Sequence, residues 1–222
     1  MTNPAPWGSD LFYTARMQIT VFGASGKVGS LVVEQALKRG YTVVAFVHSH
    51  DLFSPSGKLI IQKGDVYDAQ DVARALRGSD AVISCLSSWG TPKRNVLSSA
   101  MQNIIPAMHE QKISRIVTLT GVGLQSNPSR LYEWALRALG PLPAGKVFRD
   151  ADAHVRYLVA SGLEWTTICS PIMNGIGGPG YRLSLHTGFP AATIARASVA
   201  AALLDQLDSG EFAHQTPTIH RK

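Results

Sequence analysis

Apolar residues along this chain fall into short runs bounded by turn residues, alternating with stretches where they recur every three or four positions. The runs at 17–22, 41–47, 59–63, 80–85, 115–120 and 165–169 have strand length and little polar alternation, which suits strands buried on both faces. Between the first two, Val28, Leu31, Val32, Gln35, Ala36 and Leu37 keep helical spacing. The same period predicts helices over 69–77, 95–111, 131–139, 147–160 and 195–207. Gly40 stands where the first helix should stop, and the Gly140-to-Gly145 segment, with its two prolines, is expected to break the helical run. A terminal strand is expected at 215–219. Strand and helix in alternation imply an α/β fold, a doubly wound parallel sheet in a single domain spanning 17–222.

The first strand-to-helix junction carries the clearest chemistry: Gln18-Ile-Thr-Val-Phe-Gly23-Ala-Ser-Gly26-Lys-Val-Gly29. A strand that feeds directly into a helix over a diphosphate needs glycine where a side chain would block the turn, the ligand or the helix-to-strand contact. Gly23, Gly26 and Gly29 can fill those roles in order. A helix beginning near Gly26 would point its free N–H groups and positive dipole end at the anion, with the amides between Ala24 and Val28 around it. The bland alternative is a tight turn between any strand and helix; the flanking strand and helix favour a dinucleotide.

Ligands in such sheets lie beyond the carboxyl ends of the strands, so the strand tips are the next place to look. After the second strand come His48, Ser49 and His50, with nothing acidic before Asp51. NAD sites place a carboxylate there and NADP sites avoid it. The pattern leans to NADP, with NAD as the alternative, and with His48, Ser49 and Lys27 as phosphate contacts. Two histidines in a surface loop is the competing reading. Asp65 follows the third strand, where it could accept from an adenine amino group or serve as a cap or turn residue for the 69–77 helix. The 86–92 loop would line the crevice after the fourth strand. Thr120 is the hydroxyl at the fifth strand's tip, and a glycine-rich 174–180 segment after Ser170-Pro171 would form a mobile loop over the substrate side.

The chain has 222 residues and a net charge of +6, its basic residues scattered without a dense patch or interleaved aromatics. This argues against nucleic acid as a partner and for a bias toward anionic small molecules. No apolar run reaches the roughly eighteen residues a membrane span needs. Residues 1–16 are read as a mobile or loosely docked arm without the apolar segment of a signal peptide, so the expectation is a cytoplasmic protein, monomer or homodimer. Cys85 and Cys169 fall in or beside apolar strands and lack the neighbours of a metal site.

Gly23-Ala-Ser-Gly-Lys-Val-Gly29, Gly64-Asp65-Val66, Ser79-Asp80-Ala-Val82, Asn103-Ile104, Arg115-Ile-Val117, Ser161-Gly-Leu163 and Trp165 to Pro171 together resemble the atypical short-chain dehydrogenases with an NAD(P)-binding Rossmann-like fold. Within these, the chain is most similar to the NmrA-like group and to the biliverdin IXβ reductase/flavin reductase branch. The resemblance implies an NADP(H)-binding domain that reduces flavins, quinones or related conjugated acceptors, or that senses the cofactor's redox state. It also implies cofactor contacts from Gly23, Ser25, Gly26, Lys27 and Val28, from Asp65 and Val66 at adenine, from Leu86 and Ser87, and from Pro171 and Ile172; Thr120 and Gly121 are expected at the nicotinamide from their place at the tip of the fifth strand. The chain departs from that branch in having His48 in place of an arginine. Gly121 and Ile172 stand where the branch has a serine and a histidine. The wider family's Tyr-x-x-x-Lys pair is missing: Leu136 and Ser161 follow Tyr132 and Tyr157 by four. Two functions are therefore carried forward. One is a reductase of a flat acceptor over an apolar floor of Val122, Ile172 and Met173, with Trp89 or Tyr181 as walls. The other is a non-catalytic dinucleotide-binding regulator that acts through a protein partner.

Overall fold

A computed structural model describes residues 17–48, 53–89, 91–121, 143–174, 180–185 and 193–222. Its strands are β1 (Gln18–Phe22), β2 (Thr42–Val47), β3 (Leu59–Lys63), β4 (Ala81–Ser84), β5 (Arg115–Gly121), β6 (Glu164–Ser170), β7 (Tyr181–Ser184) and β8 (Thr218–Arg221). Its helices are α1 (Gly29–Lys38), α2 (Ala69–Leu76), α3 (Val96–Glu110), α4 (Pro143–Ala160) and α5 (Arg196–Ser209). The strand order is β3-β2-β1-β4-β5-β6-β8-β7, parallel except for the antiparallel β7–β8 pair.

The period-2 geometry of a strand sends successive side chains to opposite faces, and the sheet is accordingly sandwiched between two apolar layers. Ile19, Val21, Val43, Ala45, Ile83 and Val117 face one layer, closed by Val32, Val33 and Ala36 of α1 and Val199, Leu203 and Leu204 of α5. Phe22, Phe46, Val82 and Ile116 face the other, covered by α2, α3 and α4 through Leu76, Met101, Ile104, Val155 and Leu158. The chain leaves β1 in one direction and β4 in the other, so the crevice of a doubly wound sheet opens at their carboxyl ends.

Gly40 ends α1 as expected, at φ +93°. Its N–H donates to Leu37 O and that of Tyr41 to Ala36 O, the paired bonds of a Schellman cap. Three expectations need correction. The 140–145 segment is not a break throughout: Pro143 occupies the first position of α4, where a missing N–H costs nothing, and Gly145 lies within the first turn. The C-terminal strand runs Thr218–Arg221, shifted from 215–219, and Gln215 only bridges Thr166. Strand β7 has no counterpart in the sequence reading. The arm at 1–16, the helix at 131–139, Ser49 and His50, Val122 and the glycines at 175–178 lie outside the described residues.

Candidate functional site

The turn between β1 and α1 is built by its glycines, each for a separate reason. Gly23 has φ +73°, and a Cβ there would stand 2.9 Å from Cys85 O, so only glycine lets β1 and β4 approach. A Cβ on Gly29 would come within 2.1 Å of Gly23 O, closing the turn against the helix. Gly26 differs: its one close neighbour is Gly23 O at 3.1 Å, and its open side faces a cavity. Its N–H donates to Gly23 O, and α1 begins with Ser30 N donating to Gly26 O. The N–H groups of Lys27, Val28 and Gly29 have no protein acceptor among the described residues, and α1 has no side-chain N-cap. Free amides at a helix start with the glycine side open form a cradle that an anion fits.

That cradle is one end of a cavity of about 780 Å³ running along the carboxyl ends of β1, β4, β5 and β6. Of the residues singled out from sequence, Gly26, Lys27, Val28, Leu86, Ser87, Trp89, Thr120, Gly121, Pro171, Ile172 and Met173 all line it. Lys27 and Arg196 are the only basic side chains among its described lining residues, which include no carboxylate. The Thr120 hydroxyl is buried with no hydrogen-bond partner among the described residues, an orphan donor and acceptor at the tip of β5. A buried unpaired hydroxyl is costly unless a ligand completes it.

Other predicted residues play different parts. Ala24 is buried and Ser25 sits in the turn, neither facing the cavity. His48 and Asp65, at the ends of β2 and β3, come together with His48 Nε2 4.0 Å from Asp65 Oδ2. Asp65 also accepts from Tyr67 N, while the cap of α2 is Asp68, which accepts from the N–H groups of Gln70 and Asp71. Asp65 is therefore a turn residue and not the cap, and its other oxygen is turned to His48. Val66 is buried and its carbonyl is held by Asn103 Nδ2 at 2.8 Å, so it supports this loop rather than lining the cavity. Tyr181 is not a wall: β7 places its hydroxyl on Asp205, away from the cavity.

Several lining residues escaped the sequence reading. Val147, Phe148 and Ala151 bring the inner face of α4 to the cavity, and Phe148 meets Trp89 edge to face at 6.2 Å. Val147 and Ala151 are four apart on that face, and neither carries a group that can exchange a proton. Cys85 also lines the cavity, but burial pushes its thiol up to about 12. Ser88 is tied into a network with Asp150 of α4. The Asp150 carboxylate accepts from Ser88 Oγ, Leu97 N (2.9 Å), Ser98 N (2.9 Å) and Ser98 Oγ (2.5 Å), and Val96 N donates to Ser88 Oγ (3.1 Å). The first three amides of α3 are thus capped from outside the helix, which locks the 85–89 loop between β4 and α4. No group of three potential metal ligands occurs among the described residues.

The sequence profile of the NAD(P)H-binding family matches residues 23–210, from the first glycine of the turn to the end of α5. The chain belongs to the NAD(P)H-binding family. The fold recurs in solved structures. An anaerobilin reductase from Escherichia coli O157:H7 superposes with TM-score 0.73 at 22% identity, covering 92% of this chain and 97% of that one. A candidate NADH-flavin reductase from Streptococcus pneumoniae TIGR4 gives TM-score 0.70 at 22% identity, covering 93% and 100%. At such identities the likeness is one of fold. Cinnamoyl-CoA reductase 1 of Arabidopsis thaliana is 28% identical over 134 residues, 54% of this chain and 39% of its own length, so the chain spans well under half of that relative.

Proposed function

We propose that this protein is an NAD(P)H-dependent reductase of a flat, conjugated acceptor such as a flavin or quinone. The observation that carries the reading is the make-up of the cavity: an anion cradle at one end, an aromatic and aliphatic lining at the other, and, among the described residues, no histidine or carboxylate in the lining to run acid and base chemistry. A bound reduced nicotinamide supplies the hydride. Lys27 and the free amides of Lys27, Val28 and Gly29 hold the diphosphate by charge and hydrogen bonds. His48 and Asp65 stand ready for the adenosine end. The Thr120 hydroxyl orients a polar group at the nicotinamide end of the crevice.

Trp89, Phe148, Ile172 and Met173 supply surfaces for a second ring to stack, and holding two rings face to face is most of what this reaction asks of a protein. Trp89 is 57% exposed and Ile172 78%, so the mouth is open to water, and the proton that accompanies the hydride reaches the reduced acceptor from solvent. NADPH is the favoured cofactor because no carboxylate follows β2 at His48, though Asp65 Oδ2 lies across from it. The test is turnover of NADPH with FMN, riboflavin and a quinone panel, followed at the nicotinamide absorbance. Acceptor-dependent oxidation well above the protein-free rate supports the reductase. Saturable cofactor binding with no turnover on any acceptor supports the regulator instead, which the nonpolar Gly121 and Ile172 tips also suit.

A further inference from the structure

Of the two basic side chains on the described lining of the main cavity, Lys27 belongs to the diphosphate cradle and Arg196 stands at the opposite end. Arg196 is the first residue of α5, half-buried, and its Nη2 donates to Met173 O at 2.7 Å. Met173 is bridged in turn to Ile194, so the guanidinium is fixed against the segment that follows β6. No carboxylate pairs with Arg196 among the described residues, and none of them lines the cavity. Helix α5 adds to this charge instead of offsetting it. Its first turn has no acidic residue and its N-cap is Ala195, so the positive end of its dipole meets the cavity without a side-chain cap.

Strand order decides which half of a dinucleotide meets Arg196. The diphosphate cradle follows β1 and the adenosine end follows β2 and β3, so the nicotinamide half extends the other way, along the cavity over β4, β5 and β6. β6 is three strands from β1, about 14 Å at the usual spacing of paired strands, which separates Arg196 from the cradle and puts it by the redox-active ring. Reduced and oxidised cofactors carry the same phosphates, so Lys27 and the free amides hold both alike. They differ at the ring, which is neutral when reduced and carries one positive charge once hydride has left. A guanidinium that is always charged, with no carboxylate beside it, repels the oxidised ring alone. We propose that Arg196 makes this a site for the reduced cofactor, binding NADPH in preference to oxidised NADP. The proposal rests on the dinucleotide reading above and holds for reductase and regulator alike. In a reductase it drives out the spent cofactor after hydride has passed to the acceptor; in a regulator it makes occupancy follow the reduced pool.

The experiment measures dissociation constants on the full-length protein by calorimetry, with no acceptor present, for NADPH, oxidised NADP and tetrahydro-NADP, whose ring is neutral yet has no hydride to give. NADPH and tetrahydro-NADP should bind alike, about tenfold tighter than oxidised NADP at low salt, and the margin should shrink as salt rises. Arg196→Gln keeps a donor for Met173 O and should bring all three within about twofold, mainly by tightening the oxidised form. Ala197→Glu, at an exposed position of the same first turn, supplies the missing countercharge without removing a contact and should cut the preference to about half or less. Lys27→Gln should weaken all three by a similar factor and leave their ratio as in the wild type. Equal affinities in the wild type, tighter binding of oxidised NADP, tetrahydro-NADP siding with the oxidised form, or a preference that survives Arg196→Gln overturns the proposal while leaving the dinucleotide reading in place. Should Arg196→Gln not fold, an unchanged preference in Ala197→Glu overturns it equally. No binding of any of the three overturns both.

Discussion

Removing the Asp150 carboxylate tests how the cavity wall is held. Asp150 is buried at the interface of α4 with the start of α3, where it receives two backbone amides and two hydroxyls. In Asp150→Ala the hydroxyls can rotate to other partners, but the amides of Leu97, buried, and Ser98, half-buried, lose their acceptor. Each stranded buried donor costs about 1–3 kcal/mol, and breaking a charged cap at a helix N-terminus costs a similar amount, with overlap between the two. A total of about 3–5 kcal/mol follows, against a typical domain stability of about 5–15 kcal/mol. For a chain of this size that is a fall in Tm of roughly 10 °C. Asp150→Asn keeps one acceptor oxygen but turns an NH2 toward the remaining donors, so about half the loss is expected. Ser98→Ala removes a single hydroxyl and should cost about 1 kcal/mol. Urea unfolding of the three variants, with constant slope, gives the free energies directly. A loss below about 1 kcal/mol for Asp150→Ala would show that water replaces the carboxylate, and the locked-wall argument would be wrong.

Three further outcomes are expected. His154 is fully buried on α4, both ring nitrogens lack partners among the described residues, and burial lowers its pKa to about 4, partly offset by nearby Asp150. The unfolded chain therefore takes up a proton that the folded one refuses, so this contribution to stability is complete above about pH 6.5 and is lost as pH falls toward 4, by up to roughly 3 kcal/mol; His154→Leu should flatten the stability profile across that window, and an unchanged slope would contradict it. The Cys85 thiol, buried and pushed up to about 12, should react with iodoacetamide at neutral pH far more slowly than the same thiol in unfolded protein, as read by mass spectrometry; equal rates would refute it. His48→Arg should raise the preference for NADPH over NADH about tenfold in competitive binding, because a guanidinium is always charged and grips a phosphate with two hydrogen bonds; no change would place the adenosine 2′ position elsewhere.

The parts of the molecule that were readable in sequence are those set by local pattern. β3 was placed to the residue, α3 to within one at each end, and the glycine turn could be located from the strand and helix patterns on either side of it, although Gly23 also answers to Cys85 O after β4. β7 was not readable: a four-residue strand after a glycine-rich stretch owes its existence to pairing with β8. The Ser88–Asp150 link joins positions 62 apart, and an aspartate in a helical pattern reads as solvent-facing until the partner helix is known. Phe148 and Arg196 sat in stretches read only as helix, and nothing local marked them as cavity residues. Tyr181 misled for the opposite reason, an aromatic near a substrate loop whose hydroxyl is claimed by Asp205.

The most direct test is a titration of the purified protein with NADPH and with NADH, set beside the Gly26→Val variant. Gly26 is the informative position because its open side faces the cavity, whereas a Cβ on Gly29 would strike backbone at 2.1 Å and break the turn itself. The account predicts saturable binding to the wild type and a loss of about 100-fold or more in a variant whose circular dichroism and unfolding remain those of a folded protein. Absence of a saturable signal with either nucleotide, or a Gly26→Val protein that binds as the wild type does, would contradict it.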